Sequence, residues 1–183
     1  MKKSYCLLFI IFFTLVGYSQ NFESFASGIK INNTIYNITG SQPIQLINPD
    51  PGAQFFDGLS LGTFGQNANC MSITGGEVKT WKTATSNVCA VTLNWRVYTA
   101  GSPSGGFNAV PLTQVFDCNT VTSIFDDGFG PCSANDQKWK DYTLNTNFLS
   151  GLTPGNYILE IFYSFDGSDT TTSTCETTRF INN

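Results

Sequence analysis

Two stretches of this chain alternate their side chains with a period of two, and that pattern limits the fold more than any other feature. In Ala90 to Tyr98, Val91, Leu93, Trp95 and Val97 point one way, and Thr92, Asn94, Arg96 and Tyr98 point the other. In Asn156 to Phe165, Tyr157, Leu159, Ile161, Tyr163 and Phe165 share one face; Ile158, Glu160 and Phe162 share the opposite one. Successive side chains of a β-strand leave opposite faces, so both stretches read as strands with one face in a core. No stretch after the leader carries a convincing helical period, and a short helical turn is expected only within Thr143–Ser150.

Shorter strands are expected at Ile29–Ile31, Thr34–Thr39, Ile44–Ile47, Cys70–Ile73, Glu77–Lys82 and Leu112–Phe116. Asn32-Asn33 and Gly75-Gly76 fit tight hairpin turns. Asn48-Pro49-Asp50-Pro51-Gly52 cannot be strand interior. Gly101 to Gly106 and Asp166 to Thr174 read as polar loops. Short strands with frequent turns point to an antiparallel β-sandwich and away from βαβ units.

Leu152-Thr153-Pro154-Gly155-Asn156-Tyr157 sharpens this expectation. Pro154 and Gly155 make a turn, and Tyr157 stands at the start of the strand. That is the pattern of a tyrosine corner, in which the phenol bonds back to upstream backbone. The expected class is therefore all-β: an antiparallel β-sandwich, immunoglobulin/fibronectin-like. In such a fold the strand from Tyr157 and the strand from Ala90 are antiparallel neighbours. The start of one then lies near the end of the other, which brings Cys89 towards the loop that ends at Cys175.

The compartment is read from residues 1–20. Lys2 and Lys3 form a positive n-region, Cys6 to Val16 is apolar and aromatic with one Thr, and Gly17-Tyr18-Ser19 carries small residues where a signal peptidase tests them. The apolar run is about half the ~20 residues of a bilayer span. The expectation is an export signal cleaved near residues 19 and 20, then a single domain over 21–183 with no stable membrane span. Removing Lys2 and Lys3 leaves seven basic against thirteen acidic residues, a net charge of −6. No basic stripe supports phosphate contacts, so nucleic acid is not an expected partner. Histidine is absent from the chain, which removes Ser-His-Asp and Cys-His catalysis, His zinc sites and any imidazole base.

Five cysteines remain after the leader: Cys70, Cys89, Cys118, Cys132 and Cys175. An oxidising compartment favours pairing and leaves one over. No C-x-x-C spacing suggests zinc or thioredoxin-type chemistry. Cys118 and Cys132 flank a segment that must reverse at Asp126-Asp127-Gly128, and closing that loop is worth roughly 3 kcal/mol on the chain-entropy model. They are the first expected pair. Cys89 with Cys175 is the second, which leaves Cys70 unpaired; Cys70 with Cys89 is the alternative.

Three groups are candidate sites. Asp126, Asp127, Asn135 and Asp136 offer oxygen ligands at a density suited to calcium, without EF-hand spacing; solvated loop acids read the same way. No other cofactor is implied. Trp81 and Trp139 have polar neighbours on both sides and are candidate sugar-stacking residues, whereas Trp95 reads as core. Asp57 with Glu77, or Asp141 with Glu160, would be the carboxylate pairs of a glycosidase, but no spacing requires either pair to meet.

An ordered series of short motifs carries a resemblance. It runs Leu61-Gly62-Thr63-Phe64, Thr74 to Thr80 (TGGEVKT), Trp95-Arg96-Val97-Tyr98, Asn135 to Trp139 (NDQKW) and Leu149 to Tyr157 (LSGLTPGNY). Together they resemble a β-sandwich module of exported and surface proteins of Bacteroidota, particularly flavobacteria, often associated with type IX secretion. The similarity spans nearly all of 21–183 and implies no catalytic residues. It implies a last strand beyond an Asn-Asn turn, which would make a chain stopping at Asn182-Asn183 a fragment or a variant without that strand. Asp169-Thr170-Thr171 resembles the O-glycosylation acceptor of such proteins. The function implied is a non-catalytic module for adhesion or accessory binding, with a protein or glycan partner at the cell surface. A carbohydrate-binding module using exposed Trp and a ligand-free structural spacer are the alternatives.

Overall fold

The computed structural model describes residues 21–38, 52–65, 71–115, 135–169 and 174–175, and the backbone of 177–182. Within them every regular element is a strand. The candidate residues Cys70, Cys118, Cys132, Asp126, Asp127, Thr170 and Thr171, and the expected strand Ile44–Ile47, lie outside the described residues.

One sheet is built from β1 (Phe22–Ile31), β2 (Thr34–Asn37), β3 (Gln54–Phe55), β4 (Ser72–Lys82), β7 (Thr113–Val115), β8 (Asp136–Asp141) and β9 (Thr146–Asn147). Its order is β3-β2-β1-β4-β8-β7, with β9 beside the start of β4. The other holds β11 (Thr177–Asn182), β10 (Tyr157–Ser168), β5 (Asn87–Thr99) and β6 (Asn108–Pro111), in that order. All pairings are antiparallel except β2 with β3.

The two alternating stretches are β5 and β10, and they pair along their whole length, from Tyr157 opposite Thr99 to Ser168 opposite Asn87. Their inward residues Val91, Leu93, Ile161, Tyr163 and Phe165 are buried. From the larger sheet Phe22, Ile29, Ile73, Val78 and Trp139 meet them in one core. Burying a large apolar side chain contributes about 1.5–3 kcal/mol, so this interlayer stripe dominates the packing energy.

Polar groups also join the layers. The Tyr163 hydroxyl donates to the Gly28 carbonyl of the opposite sheet at 2.7 Å. The Gln137 amide of β8 donates to the Val88 carbonyl at 3.1 Å, and its oxygen accepts from the Val88 N–H at 3.3 Å. Gln137 thus satisfies backbone groups of β5 that its own sheet cannot reach.

The Asn32-Asn33 turn is as expected: φ is +48° and +70°, the left-handed pair that a two-residue hairpin requires and that Asn tolerates. The expected turn at Gly75-Gly76 is not there, because both glycines lie inside the continuous strand β4. A Cβ on Gly76 would stand 2.6 Å from the Tyr163 oxygen. The glycine makes room for a buried phenol of the other sheet and does not reverse the chain. No helical turn forms in 143–150 either. Thr146 and Asn147 pair with Ile73 and Ser72, and Phe148 is buried against Trp95 with ring centroids 5.0 Å apart. The expected strand Leu112–Phe116 is a crossing point: Leu112 is buried, with β6 in one sheet before it and β7 in the other after it.

Cys89 and Cys175 form a disulfide with a Cα separation of 6.2 Å. The register of β5 on β10 steps between Ala90–Asp166 and Val88–Gly167, leaving Cys89 as the extra residue of a bulge. A bulge re-aims a side chain, and here it serves the pairing with Cys175. The sequence separation of 86 residues makes this closure worth roughly 4–5 kcal/mol on the chain-entropy model. It also removes the alternative of Cys70 with Cys89.

Candidate functional site

The turn before β10 builds the site. Tyr157 donates its hydroxyl to the Thr153 carbonyl at 2.7 Å, so the phenol spans Pro154 and Gly155 and fixes the angle at which the chain enters β10. This is the back-bond sought in the sequence pattern. The start of β10 then lies against the end of β5, with Tyr157, Ile158 and Leu159 opposite Thr99, Tyr98 and Val97. The segment 56–65 lies nearby, its Leu61 and Phe64 packed on the core. Between these three pieces runs a cleft of roughly 1060 Å³. That is at the upper end of the ~300–1,000 Å³ usual for small-molecule sites.

The cleft is lined on its inner side by Val97, Leu159, Phe64 and Phe148, and bordered by Arg96, Tyr98, Ile158 and Glu160. Alternation sends the side chains of these last four to the opposite, outward face of β5 and β10. Arg96 and Glu160 are directly opposite. The Arg96 Nη2 stands 2.7 Å from Glu160 Oε2, and Nε donates to the same oxygen at 2.8 Å. Nη1 donates to the Gly105 carbonyl at 3.3 Å. The guanidinium carbon lies 4.4 Å from the centre of the Phe107 ring and 5.1 Å from that of Tyr98. Phe107 packs edge-on against Phe162 at 4.8 Å. Ile158 of the cleft border is 42% exposed, and Phe107, outside the cleft lining, is 38% exposed; together they form apolar surface around a pinned ion pair on the outer face of the smaller sheet. Asp57 stands exposed in the wall formed by 56–65.

A second charged group lies on the larger sheet. Glu77 is fully buried, its Oε1 is 3.3 Å from the buried Lys138 ammonium, and its Oε2 accepts from the Tyr142 hydroxyl. Oε1 accepts no aligned hydrogen bond. Burial raises the Glu77 carboxyl above its ordinary pKa, against the opposing pull of the Tyr142 hydrogen bond and the Lys138 and Lys79 charges.

The sequence candidates separate on this geometry. Trp139 corrects an expectation: it is 3% exposed, sits in the core, and donates its indole N–H to Thr80 Oγ1 at 3.1 Å. A ring enclosed on both sides cannot stack on a ligand. Its immediate neighbours Lys138 and Lys140 belong to the other face of β8, while Gln137 shares its inward face. Trp81 is half-buried at the end of β4, opposite Glu23 on one side and Asp136 on the other. Asp57 is exposed while Glu77 is buried beside Lys138, and Asp141 and Glu160 belong to different sheets. Neither carboxylate pair is assembled as a glycosidase pair. Asn135 is exposed, and its carbonyl accepts from Lys82 N–H. Among the described residues no three His, Cys, Asp or Glu side chains gather to hold a metal.

Tyr98, Phe107 and the Arg96–Glu160 pair were not singled out in the sequence. The signal for them was the outward half of each alternating strand, where Arg96 and Tyr98 on β5 and Ile158 and Glu160 on β10 are set in register. Comparison with known proteins finds no family model, no curated protein and no solved structure that matches this chain.

Proposed function

We propose that the chain is a non-catalytic, exported β-sandwich module of the immunoglobulin/fibronectin-like kind, acting in adhesion or accessory binding at a cell surface. The cleft beside the Tyr157 turn carries this reading. Its walls combine exposed apolar side chains with an ion pair pinned by hydrogen bonds, an arrangement suited to recognition. Export is supported by the leader and by the Cys89–Cys175 bridge, since disulfides persist in oxidising compartments. The resemblance to surface modules of Bacteroidota points the same way. The sequence has no histidine, and among the described residues neither candidate carboxylate pair is assembled; both favour a non-catalytic role.

The test uses the full chain, expressed with its leader, purified from the exported fraction and labelled. Saturable binding to bacterial envelope fractions is expected, weakened in Arg96→Ala, with no turnover of chromogenic glycoside, ester or peptide substrates. Sustained turnover would overturn the non-catalytic assignment. Absence of binding to any envelope or extracellular material would favour a ligand-free spacer.

A further inference from the structure

Resting on the reading of this cleft as the binding site, we infer that its ligand is an uncharged oligosaccharide, held at the cleft border on the strip of Tyr98, Arg96 and Ile158 with Glu160 as the hydroxyl acceptor, and extending over Phe107 on the outer face beside the cleft. Three observations lead there. First, the strip is amphipathic at the scale of a sugar ring. Phe107 and Ile158 expose apolar surface, while Arg96 and Glu160 place a donor and an acceptor among them. A pyranose has the matching form, with apolar C–H faces and a rim of hydroxyls that both donate and accept.

Second, the charge is balanced within the site. The Arg96 guanidinium has Nε and Nη2 committed to Glu160 and Nη1 to Gly105. No unpaired cation is left there for a phosphate, sulfate or uronate. Asp57 in the wall and the net charge of −6 after leader removal disfavour an anionic ligand further. Third, the polar groups are preorganised. Arg96 is held by its partner strand, by a backbone carbonyl and between two rings, so little side-chain entropy remains to be lost on binding. The strip meets the cleft at Arg96, Tyr98, Ile158 and Glu160, so one ring on the strip leaves a neighbouring ring beside the cleft opening.

The sugar-stacking candidates Trp81 and Trp139 both lie on the larger sheet. The structure encloses Trp139 and offers the smaller sheet in its place. The experiment is an array of neutral oligosaccharides (cello-, xylo-, manno- and chito-oligomers) beside sulfated and uronic-acid counterparts, probed with the full chain. Calorimetry on the best neutral binder follows. Binding to a neutral oligomer is expected, with a loss of about tenfold or more in Tyr98→Ala and in Glu160→Gln. Both variants must keep the Cys89–Cys175 peptide and a cooperative unfolding transition. Preference for the charged counterparts would overturn the inference. So would a loss caused by Trp81→Phe and not by Tyr98→Ala, which would put the sugar on the opposite sheet. Retained envelope binding that is protease-sensitive, with no oligosaccharide bound, would overturn the glycan and leave the module reading standing; no binding to either would remove both.

Discussion

The two sheets each carry a cross-strand pair of a glutamate and a basic residue, and the two pairs are built on opposite principles. Arg96 and Glu160 face each other on β5 and β10, with side chains 21% and 29% exposed and two short contacts to a single oxygen. Glu77 and Lys138 lie diagonally on β4 and β8, 0% and 3% exposed, at 3.3 Å without hydrogen-bond alignment. The exposed pair has good geometry and little desolvation to offset, so it adds little to stability and stays available to a ligand. The buried pair has lost its water, and its attraction must work against that loss. Good geometry at the surface marks a site, while poor geometry in the interior marks a dependence of each partner on the other.

Removing one partner of each pair breaks the comparison most sharply. Lys138→Met leaves the Glu77 carboxyl buried with Lys79 and Tyr142 as its remaining named support, and is expected to cost about 3–5 kcal/mol. Arg96→Met leaves a carboxylate that water can reach and is expected to cost about 0–1 kcal/mol. Urea unfolding of the oxidised protein measures both. Equal costs would mean that the buried pair is hydrated. The double change Glu77→Leu with Lys138→Met should recover most of the loss, because two apolar groups need no partner.

The next largest effect is a pH dependence confined to the buried pair. The folded carboxyl of Glu77 has a pKa above its ordinary value of 4.5. The folded protein therefore binds that proton more tightly than the unfolded chain does. Its contribution to stability is fully present below about pH 4.5 and is lost as pH rises through the folded value. The stability of the native protein relative to Glu77→Gln should accordingly fall as pH rises above 4.5. Chemical unfolding of both proteins across that window reads the difference. A difference that grows with pH would show that the Lys138 and Lys79 charges outweigh burial.

What the sequence revealed follows from which forces are local. The alternation in β5 and β10 is a local pattern, and so is the Pro154-Gly155 turn; both gave strand pairing, and the pairing gave the Cys89–Cys175 bridge. Gly75-Gly76 and Trp139 were misread because their neighbours in space, Tyr163 and the apposed sheet, are distant in sequence. A glycine that admits a side chain from the other layer has the same local signature as one that turns. A tryptophan among polar neighbours looks exposed until alternation sends Lys138 and Lys140 to the other face and leaves only Gln137, bonded to Val88 of the opposite sheet, beside it. Glu77 was named only as a glycosidase candidate and gave no signal of its burial, because a buried carboxylate in a strand reads as a solvent-facing one. The exposed pair was half legible: its residues were assigned to the outward faces, but register alone brings Arg96 opposite Glu160.

The smallest expected effect concerns the turn that holds the exposed pair in place. Tyr157→Phe removes the phenol's hydrogen bond to the Thr153 carbonyl at 2.7 Å and its longer one with the Thr153 hydroxyl at 3.3 Å, without removing the ring. A net loss of about 1 kcal/mol is expected, well below that of Lys138→Met. The ring still packs on Gly155, where a Cβ would lie 3.3 Å from it, so the turn is loosened and not lost. Because Tyr157 begins the strand that carries Glu160, the loosening should appear as faster amide exchange at Asn156 to Leu159, with β8 and its buried pair unchanged. Exchange that rises equally in β8 would show that the turn supports the whole sandwich. Exchange confined to the start of β10 would show that the tyrosine's work is local: it orders one wall of the cleft, while the Tyr163–Gly28 and Gln137–Val88 hydrogen bonds and the shared core join the sheets.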